Sequence, residues 1–418
     1  MDSAWLDRAA EDMVAHYAKA GIGRDLALRV YTSRLLGRDK RLVLHGGGNT
    51  SLKTRLPDLV GEEAEVLCVK GSGWDLAAIE PQGLPAVRLA PLRKLRARAA
   101  LSDEDMVRVQ RANLLDPGAP NPSVETLLHA FLPHRFVDHT HATAVLSIAD
   151  QPDGAARCAE LYRGRLAIVP YIMPGFDLAK RAAEIYAADP TVEGLVLLKH
   201  GIFTFGEDAR QSYERMIAAV SLAEERIARA GTVVPRPCAL PQPIAKLSEV
   251  APILRGACCA DDARRDGKHP GLVMEFRGAA AVLAYVNGAD LVRYATAGVV
   301  TPDHTIRTKN YPLIVPPPEA GRLDAFAAAA HAAVALFIAD YQRYFARHNA
   351  GRVPGKRMLD PLPRVILVPG LGLFGLGRTM KDAAIAADIA ENAIETILGA
   401  EAIGRFESLP PGELFEME

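Results

Sequence analysis

Four prolines fall between Thr232 and Ile244, at Pro235, Pro237, Pro241 and Pro243. Each removes a backbone donor and blocks helix continuation, so no regular element is expected to run through the stretch. A chain of 418 residues is too long for one ordinary core. The break is therefore placed here, giving a first domain at residues 1–231, a Pro-rich linker at 232–244 and a second, smaller domain at 245–418. Before the break, helical periodicity at 3–19, 24–36, 91–113, 123–132, 177–187 and 207–230 alternates with apolar runs at 42–45, 65–70, 136–141, 144–149, 166–169 and 194–199. After it, strands are expected at 272–276, 280–286 and 364–368, with long helices at 323–347 and 379–398. Both halves thus read as mixed α/β layers.

With 49 basic and 50 acidic side chains, the chain offers no basic surface for nucleic acid, and a nucleic-acid partner is not expected. Five cysteines at irregular spacing, Cys68, Cys158, Cys238, Cys258 and Cys259, form neither a disulfide framework nor a Cys-x-x-Cys zinc site. A reducing, cytoplasmic setting follows as the expectation. The acidic N-terminus lacks the apolar core of a signal peptide. The longest apolar run, 325–339, is interrupted by His331 and falls short of the roughly 20 residues a membrane span needs, so no membrane partner is expected.

The chemistry concentrates in the first half. Residues two apart in a strand face one side, so His139 and His141 of His139-Thr140-His141 can converge on one ion. Taken alone, His-x-His is more often a solvent-facing pair. His200 changes that weighing, because Leu195 to Lys199 reads as a buried strand and Gly201 permits a sharp turn where the imidazole emerges. Three protein ligands with one position left open is the catalytic form of such a site. The ligand set suits zinc first, and manganese or iron as well. Glu125 follows Asn121-Pro122-Ser123, which reads as a helix start, so its carboxylate is expected in a first turn that favours negative charge. His129, four residues on, shares that face and either orients Glu125 or is a buried structural histidine.

Two glycine-rich segments come earlier, His45-Gly46-Gly47-Gly48-Asn49-Thr50-Ser51 and Lys70-Gly71-Ser72-Gly73-Trp74. Tight turns that need glycine explain either one separately. They explain Asn49, Ser72 and Lys70 less well, whereas bare amides and hydroxyls cradling an anionic oxygen group, with Lys70 adding charge, explain all of them.

In order, Gly48-Asn49-Thr50-Ser51, Ser72-Gly73, Pro122-Ser123-Val124-Glu125, His139-Thr140-His141 and His200-Gly201 resemble the motifs of the class II aldolase and adducin superfamily over residues 20–230. Lys70-Gly71-Ser72-Gly73, residues 170–179 and His304-Thr305-Ile306-Arg307-Thr308-Lys309 look like the long rhamnulose-1-phosphate aldolase branch. The resemblance implies a three-layer α/β/α domain and a homo-oligomer, expected to be a tetramer. It implies His139, His141 and His200 as ligands of a divalent metal, with Glu125 as acid/base. Asn49, Ser72, Gly73 and Ser123, with Lys70, would grip a substrate phosphate, and Tyr171 would handle a proton. Val124 stands where shorter fuculose-1-phosphate members carry a second serine, which removes one phosphate hydroxyl.

The implied reaction is retro-aldol cleavage of a ketose, such as rhamnulose 1-phosphate, to dihydroxyacetone phosphate and a short aldehyde. Glu125 protonates the enediolate, and a phenol handles the proton on the aldehyde oxygen. A sugar-phosphate epimerase or a decarboxylase can use the same shell, and a non-catalytic adducin-like module has no need of the four site residues. One motif competes: Val365 to Val368 is followed by Gly370-Leu371-Gly372-Leu373-Phe374-Gly375, on paper a dinucleotide fingerprint. No second strand ending in an acid follows the next helix, so the glycines read as a structural turn. Without Tyr-x-x-x-Lys, no hydride transfer is expected. Arg307 and Lys309 are expected to meet substrate anions from a second domain that shelters the active site.

Overall fold

The computed structural model describes residues 1–231, 235–259 and 271–418, so 232–234 of the expected linker lie outside the described residues. Its contacts divide the chain into two compact units, Met1–Ala149 with Asp153–Ala230, and Asp150–Pro152 with Gly231–Glu418.

The first unit is built on a seven-stranded sheet of β1 (Asn49–Pro57), β2 (Glu63–Val69), β3 (Ala86–Arg88), β4 (Phe136–Thr140), β5 (Leu166–Val169), β6 (Gly194–Leu197) and β7 (Gly201–Gly206). The strands run in the order β3-β2-β1-β4-β7-β6-β5, and every pair is antiparallel except β5 with β6. Nine helices accompany them among the described residues: α1 (Asp7–Ala18), α2 (Arg24–Arg38), α3 (Leu89–Lys94), α4 (Asp103–Ala112), α5 (Thr126–Phe131), α6 (Thr143–Ala149), α7 (Gly154–Tyr162), α8 (Phe176–Ala188) and α9 (Ala209–Ala230). Helices α2, α6 and α7 pack with α9, while α5 packs with α3 and α8. Covered in this way, the sheet is the centre of an α/β/α sandwich.

Strand β4 is buried throughout, so its alternation decides which side chain meets which layer. Val137 joins Leu127, Leu128 and Phe131 of α5 in one apolar cluster, which places His139, two residues on, in the same layer. Asp138 faces the other way. Its carboxylate pairs with the fully buried Arg29 of α2 and accepts a hydrogen bond from Ser212 of α9. Arg29 also donates to Thr32 Oγ1 (2.6 Å) and to the carbonyl of Ser51 (3.3 Å). This paired charge ties α2, β1, β4 and α9 together. Removing one partner would leave an uncompensated buried charge, at a cost of about 3–5 kcal/mol.

Several elements differ from the sequence expectation. Residues 144–149, expected as a strand, form α6, and 280–286 form the helix Ala280–Val286. Residues 144–149 are buried on every side, and such a run carries no period to separate strand from helix. Residues 42–45 belong to no strand, because Leu42 and Val43 amides bond back to the Asp39 carbonyl in a turn. The single helix expected at 91–113 is broken into α3 and α4, with Ser102 capping α4 by accepting from the Asp105 amide.

The second unit holds a four-stranded sheet, β8 (Val273–Arg277), β9 (Leu313–Ile314), β10 (Val365–Val368) and β11 (Gly372–Gly377), in the order β8-β11-β10-β9. The Gly-x-Gly-x-x-Gly segment is a β-hairpin: Val368 pairs with Gly372 across a turn in which Gly370 has φ +87°. A Cβ on Gly375 would lie 2.4 Å from Ala387 N of the helix Met380–Ile403, so this glycine lets strand and helix touch. A dinucleotide turn runs from strand directly into helix, and here a second strand intervenes.

Residues 235–244 do not hang as a linker, for their backbone is laced into this unit. Cys238 N donates to Asn287 O and Ala289 N to Arg236 O, both at 2.7 Å, and Ala320 N donates to Pro243 O at 2.9 Å. The apolar run at 325–339 sits in a longer helix, Leu323–Asn349, which by length and composition alone is apolar enough to cross a membrane. Its buried residues Phe326, Ala330, Val334, Phe337, Tyr341 and Phe345 recur every three or four positions, as on a helix lying on a protein core.

Candidate metal centre

Strand register brings the site together. Asn49 of β1 lies opposite His139 of β4, and His139 lies opposite Phe203 of β7. β6 and β7 join through a three-residue turn, 198–200, closed by the Leu197 and Gly201 pair, which carries His200 to the same end of the sheet. The positive φ of this turn falls on Lys199 (+57°), not on Gly201 as expected. Gly201 is required for space instead. A Cβ there would stand 2.4 Å from Thr140 O and 3.0 Å from His139 Cε1. Gly48 has both needs, with φ +59° and a Cβ position 2.7 Å from His139 O.

The nitrogen donors of His139, His141 and His200 all lie within 4.8 Å of one another. His139 Nε2 is 3.0 Å from His141 Nε2. At 3.0 Å from Ile202 O, His139 Nδ1 carries its proton to that carbonyl, which leaves Nε2 as a lone-pair donor facing the cluster. Phe203 stacks on this imidazole at 4.2 Å and fixes its plane. Three convergent imidazole nitrogens, the tautomer of His139 fixed by the Ile202 carbonyl, are the chemistry of a divalent-cation site, so the residues present fit such an ion.

Glu125 joins them, Oε2 lying 3.3 Å from His139 Nε2 and Oε1 3.5 Å from His200 Nε2. It does not stand in a first helical turn, as expected. The helix begins at Thr126, and Glu125 precedes it with φ −88° and ψ 9°. Its carboxylate turns to Asn49, whose Nδ2 donates to Oε2 at 2.7 Å and to Ser123 Oγ at 3.0 Å. His129 acts one step further back than the sequence suggested: its Nε2 bonds Asn49 Oδ1 and its Nδ1 pairs with Ser51 Oγ at 2.7 Å. Burial, with the nearby Lys53 and Arg29 in support, holds the His129 pKa well below the usual histidine range. The ring is neutral, and since Asn49 Oδ1 only accepts, Nε2 carries the proton.

The glycine-rich loops meet the Ser123 segment through their backbones. Ser72 N donates to Asn121 O (2.7 Å), Ser123 N donates to Lys70 O (3.0 Å), and Gly71 bridges to Pro122. Lys70 is buried and its ammonium donates to Gly46 O, so it ties one glycine loop to the other. Ser72 and Gly73 are exposed on that rim. Tyr171 lies on the loop after β5, and its hydroxyl is 3.6 Å from Met173 Sδ. Because β5 runs parallel to β6, that loop leaves the sheet at the end where His200 sits. The register does not place Tyr171 against the histidines or Glu125. The Arg29–Asp138 pair and the role of Ser51 were missed in the sequence, where an isolated arginine in a helix carries no sign of a distant partner.

Residues 27–227 match the class II aldolase and adducin N-terminal domain, and residues 245–418 match the second domain of class II aldolase. A curated relative from Bacillus subtilis (strain 168), "Uncharacterized oxidoreductase YuxG", is 34% identical over 399 residues, covering 93% of this chain and 56% of that protein. The chain thus spans little more than half the length of this relative. Among solved structures, the N-terminal class II aldolase domain of a conserved protein from Thermoplasma acidophilum is 42% identical, covering 49% of this chain and 93% of that one, with a TM-score of 0.46. The L-fuculose-1-phosphate aldolase from Thermus thermophilus is 17% identical, covering 49% and 95%, with a TM-score of 0.32.

Proposed function

This chain belongs to the class II aldolase and adducin superfamily, and from that premise we propose that it is a divalent-metal-dependent aldolase cleaving a ketose 1-phosphate, such as rhamnulose 1-phosphate, to dihydroxyacetone phosphate and a short aldehyde. The observation that carries the reading is the convergence of three imidazole donors with a carboxylate held by Asn49. A divalent ion, zinc first among the candidates, would be held by His139, His141 and His200 and would supply Lewis-acid polarisation of the substrate oxygens.

The side chains do the rest. As the carbon–carbon bond breaks, its electron pair stays with the ketose fragment as an enediolate, and Glu125 delivers the proton that quenches it. Asn49 holds that carboxylate in one orientation, and His129 with Ser51 holds Asn49. Ser72, Gly73 and Ser123, with Asn49 behind them, grip the phosphate, while Lys70 fixes the two loops that carry the grip. Tyr171, as the phenolate, takes the proton of the hydroxyl that becomes the aldehyde oxygen and returns it as a phenol in the reverse, condensing direction. The enzyme works as a cytoplasmic homo-oligomer.

The test is to load the protein with zinc, manganese or iron and screen ketose 1-phosphates for release of dihydroxyacetone phosphate. The reading expects metal-dependent release that Glu125→Gln lowers by roughly 10²–10⁴-fold, the range typical of general acid/base groups. An isomerised sugar phosphate, or carbon dioxide without an aldehyde, would replace it by epimerase or decarboxylase chemistry.

A further inference from the structure

The second unit carries a group of cations that the metal centre does not use. A pocket of about 290 Å³ is lined by Arg307, Lys309, Arg364 and Arg378, with Asp360 and Asp382 as its carboxylates. Asp360 is shared, lying 3.0 Å from Arg364 and 3.7 Å from Arg378. Asp382 is occupied by the Thr379 hydroxyl at 2.8 Å. Among the described residues, neither Arg307 nor Lys309 has a carboxylate within ion-pair distance.

Lys309 is the unusual member. Only 4% exposed, its Nζ has no hydrogen-bond partner among the described residues and sits 3.8 Å from the centre of the Tyr341 ring. Its backbone occupies the left-handed region at φ +66°, which side chains other than glycine rarely adopt. The buried hydroxyl of Thr305, on the same turn, also has no partner among the described residues. Burial lowers the lysine pKa to about 8. An oxyanion among these cations offsets their mutual repulsion and the burial of the Lys309 charge, and guanidinium groups match phosphate oxygens in geometry.

We propose that this pocket is an anion site for the phosphate group of a small phosphorylated metabolite, recognised by Arg307, Lys309, Arg364 and Arg378. It shares no residue with the metal centre, and it stands whether or not the aldolase reading does.

The probe is inorganic phosphate, titrated calorimetrically into the metal-loaded full chain carrying Asn49→Ala, Ser72→Ala and Ser123→Ala, which removes every side chain of the phosphate grip assigned to the first unit. The expected result is one saturable site of millimolar affinity or better, weakened at least tenfold by Arg307→Ala and lost with Lys309→Met. Should Lys309→Met not fold, the exposed Arg307→Ala and Arg378→Ala variants carry the test. No saturable phosphate binding, or binding unchanged in both arginine variants, overturns the proposal.

Discussion

At the scale of single residues, the site is a chain of hydrogen bonds, Ser51 to His129 to Asn49 to Glu125, ending beside three imidazoles. Replacing His129 acts through Asn49 and not on the substrate. His129→Ala is expected to lower turnover by roughly tenfold through looser positioning, while metal content stays at the wild-type level. Metal loss in this variant would show that the ring supports the ligands instead. Histidine pairs, the carboxylate and the glycine loops were legible because each needs a particular residue type at a short spacing. The relay was not, since its bonded members lie 76 to 80 positions apart and meet only through strand register. Glu125 was found but misplaced: its helix starts one residue later, and tertiary contact with Asn49 overrides the helix-dipole position.

At the scale of elements, β1 and β4 do the positioning, and both are held by buried charge. Asp138→Asn is expected to cost about 3–5 kcal/mol in chemical denaturation by leaving the Arg29 guanidinium uncompensated, where a surface pair would cost little. Lys53 of β1 is buried, and its ammonium donates to the His134 carbonyl at 2.7 Å. Burial, reinforced by nearby Arg93, lowers its pKa to about 7. Between that pH and the ordinary lysine range near 10.4, the unfolded chain holds a proton that the folded one does not. Stability therefore rises across this window, by up to about 1.4 kcal/mol per pH unit. Lys53→Met should lower the rise, most clearly between about pH 7 and 8 where Lys309 contributes least; an undiminished rise there would place its source elsewhere. Long amphipathic helices such as α9 could be read directly, because apolar residues mark one face. Runs such as 144–149 could not, as burial on all sides erases the period. Val282, Tyr285 and Val286, the buried residues of the segment expected as a strand, do follow helical spacing.

At the scale of the whole molecule, two α/β units were foreseen from length and from the proline cluster, but the prolines do not form a free tether. Their backbone groups bond into the second unit, a non-local pairing with no local signature. A bound ion stabilises only the folded state that assembles its ligands. Chelation is thus expected to lower the melting temperature of the transition that reports on the first unit, and a melting curve indifferent to chelator would deny the ion a place there. The central claim is that His139, His141 and His200 hold one divalent ion that the chemistry requires. Elemental analysis of the purified protein, paired with aldehyde release from ketose 1-phosphates, tests it most directly. The account predicts about one ion per chain, with ion and cleavage lost together in His141→Ala; an undiminished ion in that variant, or no ion in the wild type after loading, would contradict it.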